Sequence, residues 1–142
     1  MISYDYTFRV RYKDIDRMGI MYYSRYFEYF EAARTDLMRA LGMTYHELEE
    51  AGVFMPVVHT ESDYSNGAEF DDHLRVVTQI REIHRSRMEI HYQVQDIDGD
   101  KGEINRGISI HAFVSPTGRA IRMPQRLKEL LELKWGTELI DE

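Results

Sequence analysis

"YKDIDRMGIMYYSRYFEYFEAAR", residues 12–34, sets two aspartates, Asp14 and Asp16, ahead of Gly19. It then crowds Tyr22, Tyr23, Tyr26, Phe27, Tyr29 and Phe30 into one segment. From about Tyr22 the positions Tyr26, Phe30, Ala33, Leu37 and Leu41 fall at helical spacing. They form one apolar stripe, with Arg25, Glu28, Thr35 and Arg39 off it. Gly42 is a natural stop. Tyrosine and phenylalanine are mediocre helix formers, so burial must hold this helix. Its aromatic breadth predicts contact on most sides, as when a sheet wraps a single helix.

The flanking sequence supplies such a sheet. Upstream, Tyr4, Tyr6, Phe8 and Val10 alternate with polar residues, which reads as a strand. Downstream, Thr44 and Glu47 form a capping box that opens a short helix closed by Gly52. Four strand candidates follow. The first, Val53 to about Asp63, is irregular. The second places Leu74, Val76, Thr78 and Ile80 inward. The third places Met88, Ile90, Tyr92 and Val94 inward, and the fourth Ile108, Ile110, Ala112 and Val114. Clean alternation predicts an antiparallel sheet with one covered face. "DIDGD" (96–100) reads as the turn between the last two strands, and Pro124 to Leu133 as a short terminal helix. The expectation is a single α+β domain over residues 1–142, with a long central helix and about five curled antiparallel strands.

Composition narrows the chemistry. The 142-residue chain carries a net charge of −7 and no cysteine. The charge argues against nucleic acid as the main partner. The missing thiols exclude disulfides, thiolate zinc sites and cysteine nucleophiles, and fit a cytoplasmic protein. No apolar run approaches the ~20 residues of a membrane span. "DIDGDKGE" (96–103) fails as a calcium loop: Lys101 stands where the obligatory glycine belongs, and Gly107 where the terminal glutamate belongs. The dispersed histidines, His84, His91 and His111 among them, show no ligand spacing, so no metal is expected.

Asp14 and Asp16 have an ordinary reading as helix-entry caps. They also admit a chemical one. Gly19 permits a sharp turn, after which the free N–H groups around Met21 to Tyr23 would face outward with partial positive charge. A carbonyl oxygen placed there would be polarised, and a carboxylate just upstream could attack its carbon or activate water. Arg85 and Arg87 in "IHRSRM" (83–88) read as a solvated edge or as an anchor for ligand phosphate.

The stretch "RVRYKDIDRMGIMYYSRYFEYFEAAR" resembles the signature of the 4-hydroxybenzoyl-CoA thioesterase branch of the hotdog-fold acyl-CoA thioesterases. The shared pattern is an aspartate, a glycine three residues on, two apolar residues and an aromatic pair. A tyrosine-rich helix ending in an acidic-Ala-Ala-Arg group follows. "DYSNGAEFDDHLRVVTQI", "RSRMEIHYQV" and "SPTGRAIRMP" are similar more loosely, so the likeness covers nearly the whole chain.

The resemblance implies a hotdog fold and hydrolysis of an acyl-CoA thioester to free acid and coenzyme A. It implies no separate cofactor, and a homodimer or homotetramer with active sites at the dimer interface. By position, Asp16 rather than Asp14 is the family's carboxylate, acting as nucleophile or general base. The backbone N–H of Tyr23 polarises the carbonyl. Gly19, Met21 and Tyr22 line the substrate, and Arg85 and Arg87 meet the coenzyme A phosphates. Many bacterial relatives carry histidine where this chain has Tyr23, which leaves the backbone role intact and removes any imidazole role. A second branch of the superfamily places a glutamate within the helix, where Glu28 and Glu31 are available here; Asp16 favours the first branch. The competing expectation is a non-catalytic protein that binds acyl-CoA or an acyl carrier protein.

Overall fold

A computed structural model describes residues 1–140. Strand β1 (Ile2–Arg9) leads through a 3-10 turn (Tyr12–Asp14) to helix α1 (Arg25–Leu41) and helix α2 (Tyr45–Glu50). Strands β2 (Val57–Tyr64), β3 (His73–Ile83), β4 (Arg87–Asp96) and β5 (Glu103–Ala112) follow. Helix α3 (Gln125–Lys134) and a short strand β6 (Glu138–Leu139) end the described chain. The sheet has six strands rather than about five, in the order β2-β5-β4-β3-β1-β6. All pairings are antiparallel except that of β6 with β1, which is parallel and two residue pairs long.

Helix α1 is 17 residues long, about 26 Å. It begins at Arg25 rather than near Tyr22, because Tyr22–Ser24 form a turn in which the Arg25 N–H donates to the Tyr22 carbonyl at 2.9 Å. Its end follows the sequence: Gly42 sits at φ +108°, and its N–H and that of Met43 reach back to the Met38 carbonyl. The predicted stripe is buried, joined by Met38. The Phe30 ring stacks on Tyr92 of β4 with centroids 4.2 Å apart. The helix thus lies in the sheet's concave face, and its aromatic residues are the core expected of a wrapped helix.

The inward faces predicted for β1, β3 and β4 are those observed: Tyr4, Leu74, Val76, Thr78, Ile80, Met88, Ile90, Tyr92 and Val94 are all buried. Strand β5 is a correction. Its buried residues include Ile104, Gly107, Ser109 and His111, while Ile108, Ile110 and Ala112 stand on the outer face. The phase is set by what lies opposite. A Cβ at Gly107 would drive into the Phe30 ring, so glycine lets this buried helix side chain reach the sheet. Beside it, Ser109 and His111 carry a polar chain inward. The Tyr92 hydroxyl lies 2.6 Å from Ser109 Oγ, which lies 2.8 Å from His111 Nε2.

Strand β2 is the long edge of the sheet, paired among the described residues only with β5. Val57, Val58 and Tyr64 on it, and Phe54 just ahead, are exposed. A long edge with bare apolar side chains invites another strand.

Candidate active site

The site elements are built by the loop between β1 and α1. Val10 and Asp71–Asp72 exchange backbone hydrogen bonds, fixing where the loop leaves the sheet. Asp14 is fully buried and structural. Its carboxylate accepts from the Tyr29 hydroxyl, from the Arg11 N–H at 3.0 Å and from Lys13 Nζ at 3.2 Å. Burial opposes its ionisation, but these three donors outweigh burial and hold the carboxyl below the usual carboxylate range. Tyr29 in turn stacks on Phe8 of β1, centroids 3.7 Å apart. The first aspartate therefore ties the loop to both helix and sheet.

Asp16 occupies a tight turn closed by the Ile15–Met21 bridge. The Asp16 N–H donates to the Ile20 carbonyl at 2.9 Å, and the Gly19 N–H to the Asp16 carbonyl at 3.0 Å. Gly19 adopts φ +78° with open space where a Cβ would be, so its role is conformational. One carboxylate oxygen of Asp16 accepts the Met18 N–H at 2.8 Å. The other has no donor among the described residues. The carboxylate is thus oriented by one oxygen and open at the other.

Of the three amides that sequence sets at the helix start, two are taken. The Met21 N–H donates to the Ala68 carbonyl at 2.7 Å and the Tyr22 N–H to the Asp14 carbonyl at 2.8 Å. The Met21 side chain is buried, so it does not line a surface site. The Tyr23 N–H has no acceptor among the described residues. Its peptide partner, the Tyr22 carbonyl, accepts from Arg25 at the entrance of α1. The loop thus carries a carboxylate oxygen with no donor and, at the helix entrance, a Tyr23 N–H with no acceptor among the described residues. The Tyr22 and Tyr23 rings are exposed and tilted against each other, centroids 4.6 Å apart. Glu28 pairs with Arg25 at 2.9 Å on the exposed side, and Glu31 is exposed.

Arg85 and Arg87 do not come near Asp16 within one copy of the chain. They lie at the β3–β4 hairpin, whereas the Asp16 loop is joined to the opposite end of β3. The 11 residues of β3 span roughly 35 Å. Arg85 borders a cleft of about 1130 Å³ between that hairpin and α3. Its lining includes apolar Ile83, Met123 and Trp135 together with His84, Arg122, Lys128 and the acid Glu132. Composition does not reveal these basic neighbours, because they come from three separate segments. A second feature invisible in sequence is the Tyr64 hydroxyl, which donates to the Tyr23 carbonyl at 2.9 Å. Among the described residues no cluster of His, Cys, Asp and Glu could hold a metal ion, and no helix is long and apolar enough to cross a membrane.

The curled sheet around one helix, with the carboxylate loop at the helix entrance, defines a hotdog-type α+β protein. The chain belongs to the Thioesterase-like superfamily, whose sequence profile matches residues 10–131. It is 38% identical over 82 residues to the acyl-CoA thioesterase YbgC of Haemophilus influenzae, covering 57% of this chain and 60% of that one. It is 24% identical over 136 residues to a 1,4-dihydroxy-2-naphthoyl-CoA hydrolase of Synechococcus elongatus, covering 94% and 98%. Among solved structures it is similar to an aspartate-to-asparagine mutant of 4-hydroxybenzoyl CoA thioesterase complexed with 4-hydroxybenzoyl CoA. That likeness has a TM-score of 0.82 at 26% identity over 90% of this chain and 97% of that one.

Proposed function

We propose that this protein hydrolyses an acyl-CoA thioester to the free acid and coenzyme A. The observation that supports the reading is that the one loop between β1 and α1 carries both the Asp16 oxygen with no donor and the Tyr23 N–H with no acceptor among the described residues. In this reading the thioester oxygen sits on the Tyr23 N–H, where negative charge develops in the tetrahedral intermediate. Asp16 either attacks the carbonyl carbon or takes a proton from an attacking water. Collapse breaks the carbon–sulfur bond, and the thiolate leaves as coenzyme A after gaining a proton. If Asp16 attacked, a single water then hydrolyses the mixed anhydride, which restores the carboxylate and supplies the proton to the thiolate. No metal or separate cofactor is required by this sequence of steps.

Assembly belongs to the proposal. The exposed β2 edge suits antiparallel pairing with β2 of a second copy. Such pairing sets the Val57 end of one strand beside the Tyr64 end of the other. The β2 register with β5, and of β5 with β4, puts Arg87 at the Val57 end. Arg85 and Arg87 of one copy then lie toward the Asp16 loop of the other, where they would hold coenzyme A phosphates. Light scattering at micromolar concentration is expected to return two or four times the chain mass of 16.9 kDa. A monomer would remove the shared site.

The direct test is release of free thiol from a panel of aryl-, short- and medium-chain acyl-CoA esters, with acyl carrier protein thioesters as the second carrier. Turnover of at least one ester is expected. Coenzyme A binding with no hydrolysis across the panel would instead make the protein a binding module. We read its compartment as cytoplasmic, where these carriers occur.

A further inference from the structure

The segment after β2 grips the helix entrance at two points. Ala68 accepts the Met21 N–H, and the Tyr64 hydroxyl donates to the Tyr23 carbonyl at 2.9 Å. Between these two contacts lies the peptide that carries the Tyr23 N–H. The grip itself is anchored. The Ser65 and Asn66 N–H groups donate to the Ile104 carbonyl, and Asn66 Nδ2 donates to the carbonyls of Lys101 and Glu103. Ile20 packs so closely under Gly67 that a Cβ there would lie 2.7 Å from the Ile20 side chain. The Tyr64 ring stands edge-on to the buried Tyr26, centroids 5.4 Å apart, yet the residue as a whole is 47% exposed. Its ring has a packing role against Tyr26. Among the described residues its hydroxyl has one partner, the backbone of the turn beside the Tyr23 amide.

We propose that Tyr64 is a positioning residue that aims the Tyr23 N–H at the thioester oxygen; this rests on the thioesterase reading above. An oxyanion donor acts only when its hydrogen points to where the charged oxygen will be, within a few tenths of an ångström. A hydroxyl on the next carbonyl restrains rotation of the turn that carries that donor. Tyr64 is also the last residue of the edge strand. The restraint therefore links the edge where a second copy would pair to the amide used in chemistry.

The test is Tyr64→Phe, which keeps the ring on Tyr26 and removes only the hydroxyl. A misaimed donor weakens the transition state more than the ground state. The kcat is therefore expected to fall about tenfold with KM within about twofold. The Tyr23 amide resonance should shift, with other large shifts confined to residues 20–26 and to the neighbours of position 64. Unchanged kcat with an active wild type, or a rise in KM alone, overturns the proposal. If the wild type turns over no thioester, the thioesterase reading fails and the amide spectrum still decides the positioning. A Tyr23 amide that does not move in Tyr64→Phe removes it.

Discussion

Asp16→Asn is expected to lower kcat/KM on any thioester the wild type cleaves by at least ~100-fold, the usual scale for loss of a catalytic base. That is at least about 2.7 kcal/mol of transition-state stabilisation. The substitution is clean because of how the side chain is held. Asparagine retains the oxygen that accepts the Met18 N–H, so the turn closed by Ile15 and Met21 should persist. What it loses is the second, open oxygen as a base or nucleophile. Circular dichroism and the thermal midpoint should therefore match the wild type while turnover collapses. Glu28→Gln serves as the contrast. Glu28 pairs with Arg25 on the exposed side of α1, so its loss should change turnover little. Equal activity of Asp16→Asn and wild type would sink the assignment. Loss of activity in Glu28→Gln alone would move the chemistry into the helix.

The turn that holds Asp16 and Gly19 was readable because its signals are local: an acid, a conformationally free glycine and the entrance of a periodic helix. The same holds for Thr44 and Glu47, whose reciprocal cap is present. Strands β3 and β4 were readable because their apolar residues face the core. Strand β5 broke the rule. Ile108 and Ile110 face outward, and from Gly107 on the inward face is glycine, serine and histidine, set by Phe30 above and by the polar chain from Tyr92. Alternation reports that two faces differ, not which one is covered. The amides at Met21 and Tyr22 looked free because their acceptors, Ala68 and Asp14, are supplied by the fold. Arg85 and Arg87 could be placed only with strand order known. The contact from Tyr64 to Tyr23 spans 41 residues and leaves no periodic trace.

The polar chain that reverses β5 also gives the protein an acid sensitivity whose window can be stated. His111 is 1% exposed. Its Nδ1 lies 3.3 Å from the Met55 carbonyl and its Nε2 2.8 Å from Ser109 Oγ. A proton on Nδ1 then donates to Met55, Ser109 donates to Nε2, and Tyr92 donates to Ser109. The neutral imidazole therefore has both ring nitrogens hydrogen-bonded. Burial, and then the nearby positive charge of Arg34, push the His111 pKa down to about 4, against the opposing pull of Met55. Tyr92 and Tyr45, which also face Arg34, are pushed upward by burial and remain neutral. An unfolded histidine titrates near 6.5. Between about 4 and 6.5 the unfolded chain binds the extra proton, so stability rises with pH across that window. The full contribution is present above 6.5 and is lost as pH falls toward 4. Its size is roughly 3 kcal/mol, a sizeable part of the ~5–15 kcal/mol typical of a native domain.

Asp14 works in a lower window. Its depressed pKa gives stability that is present above its unfolded value and lost only as pH falls through the folded one. The other histidines have side chains at least a quarter exposed, beside carboxylates. Urea unfolding at fixed protein concentration should therefore show wild-type stability falling between pH 6.5 and 4.5. His111→Gln, which keeps a polar side chain without the titration, should be less stable at pH 7.5 and much flatter across that range. A wild-type curve level from pH 7.5 to 4.5, or a variant with the same slope, would show that His111 is not the group being charged.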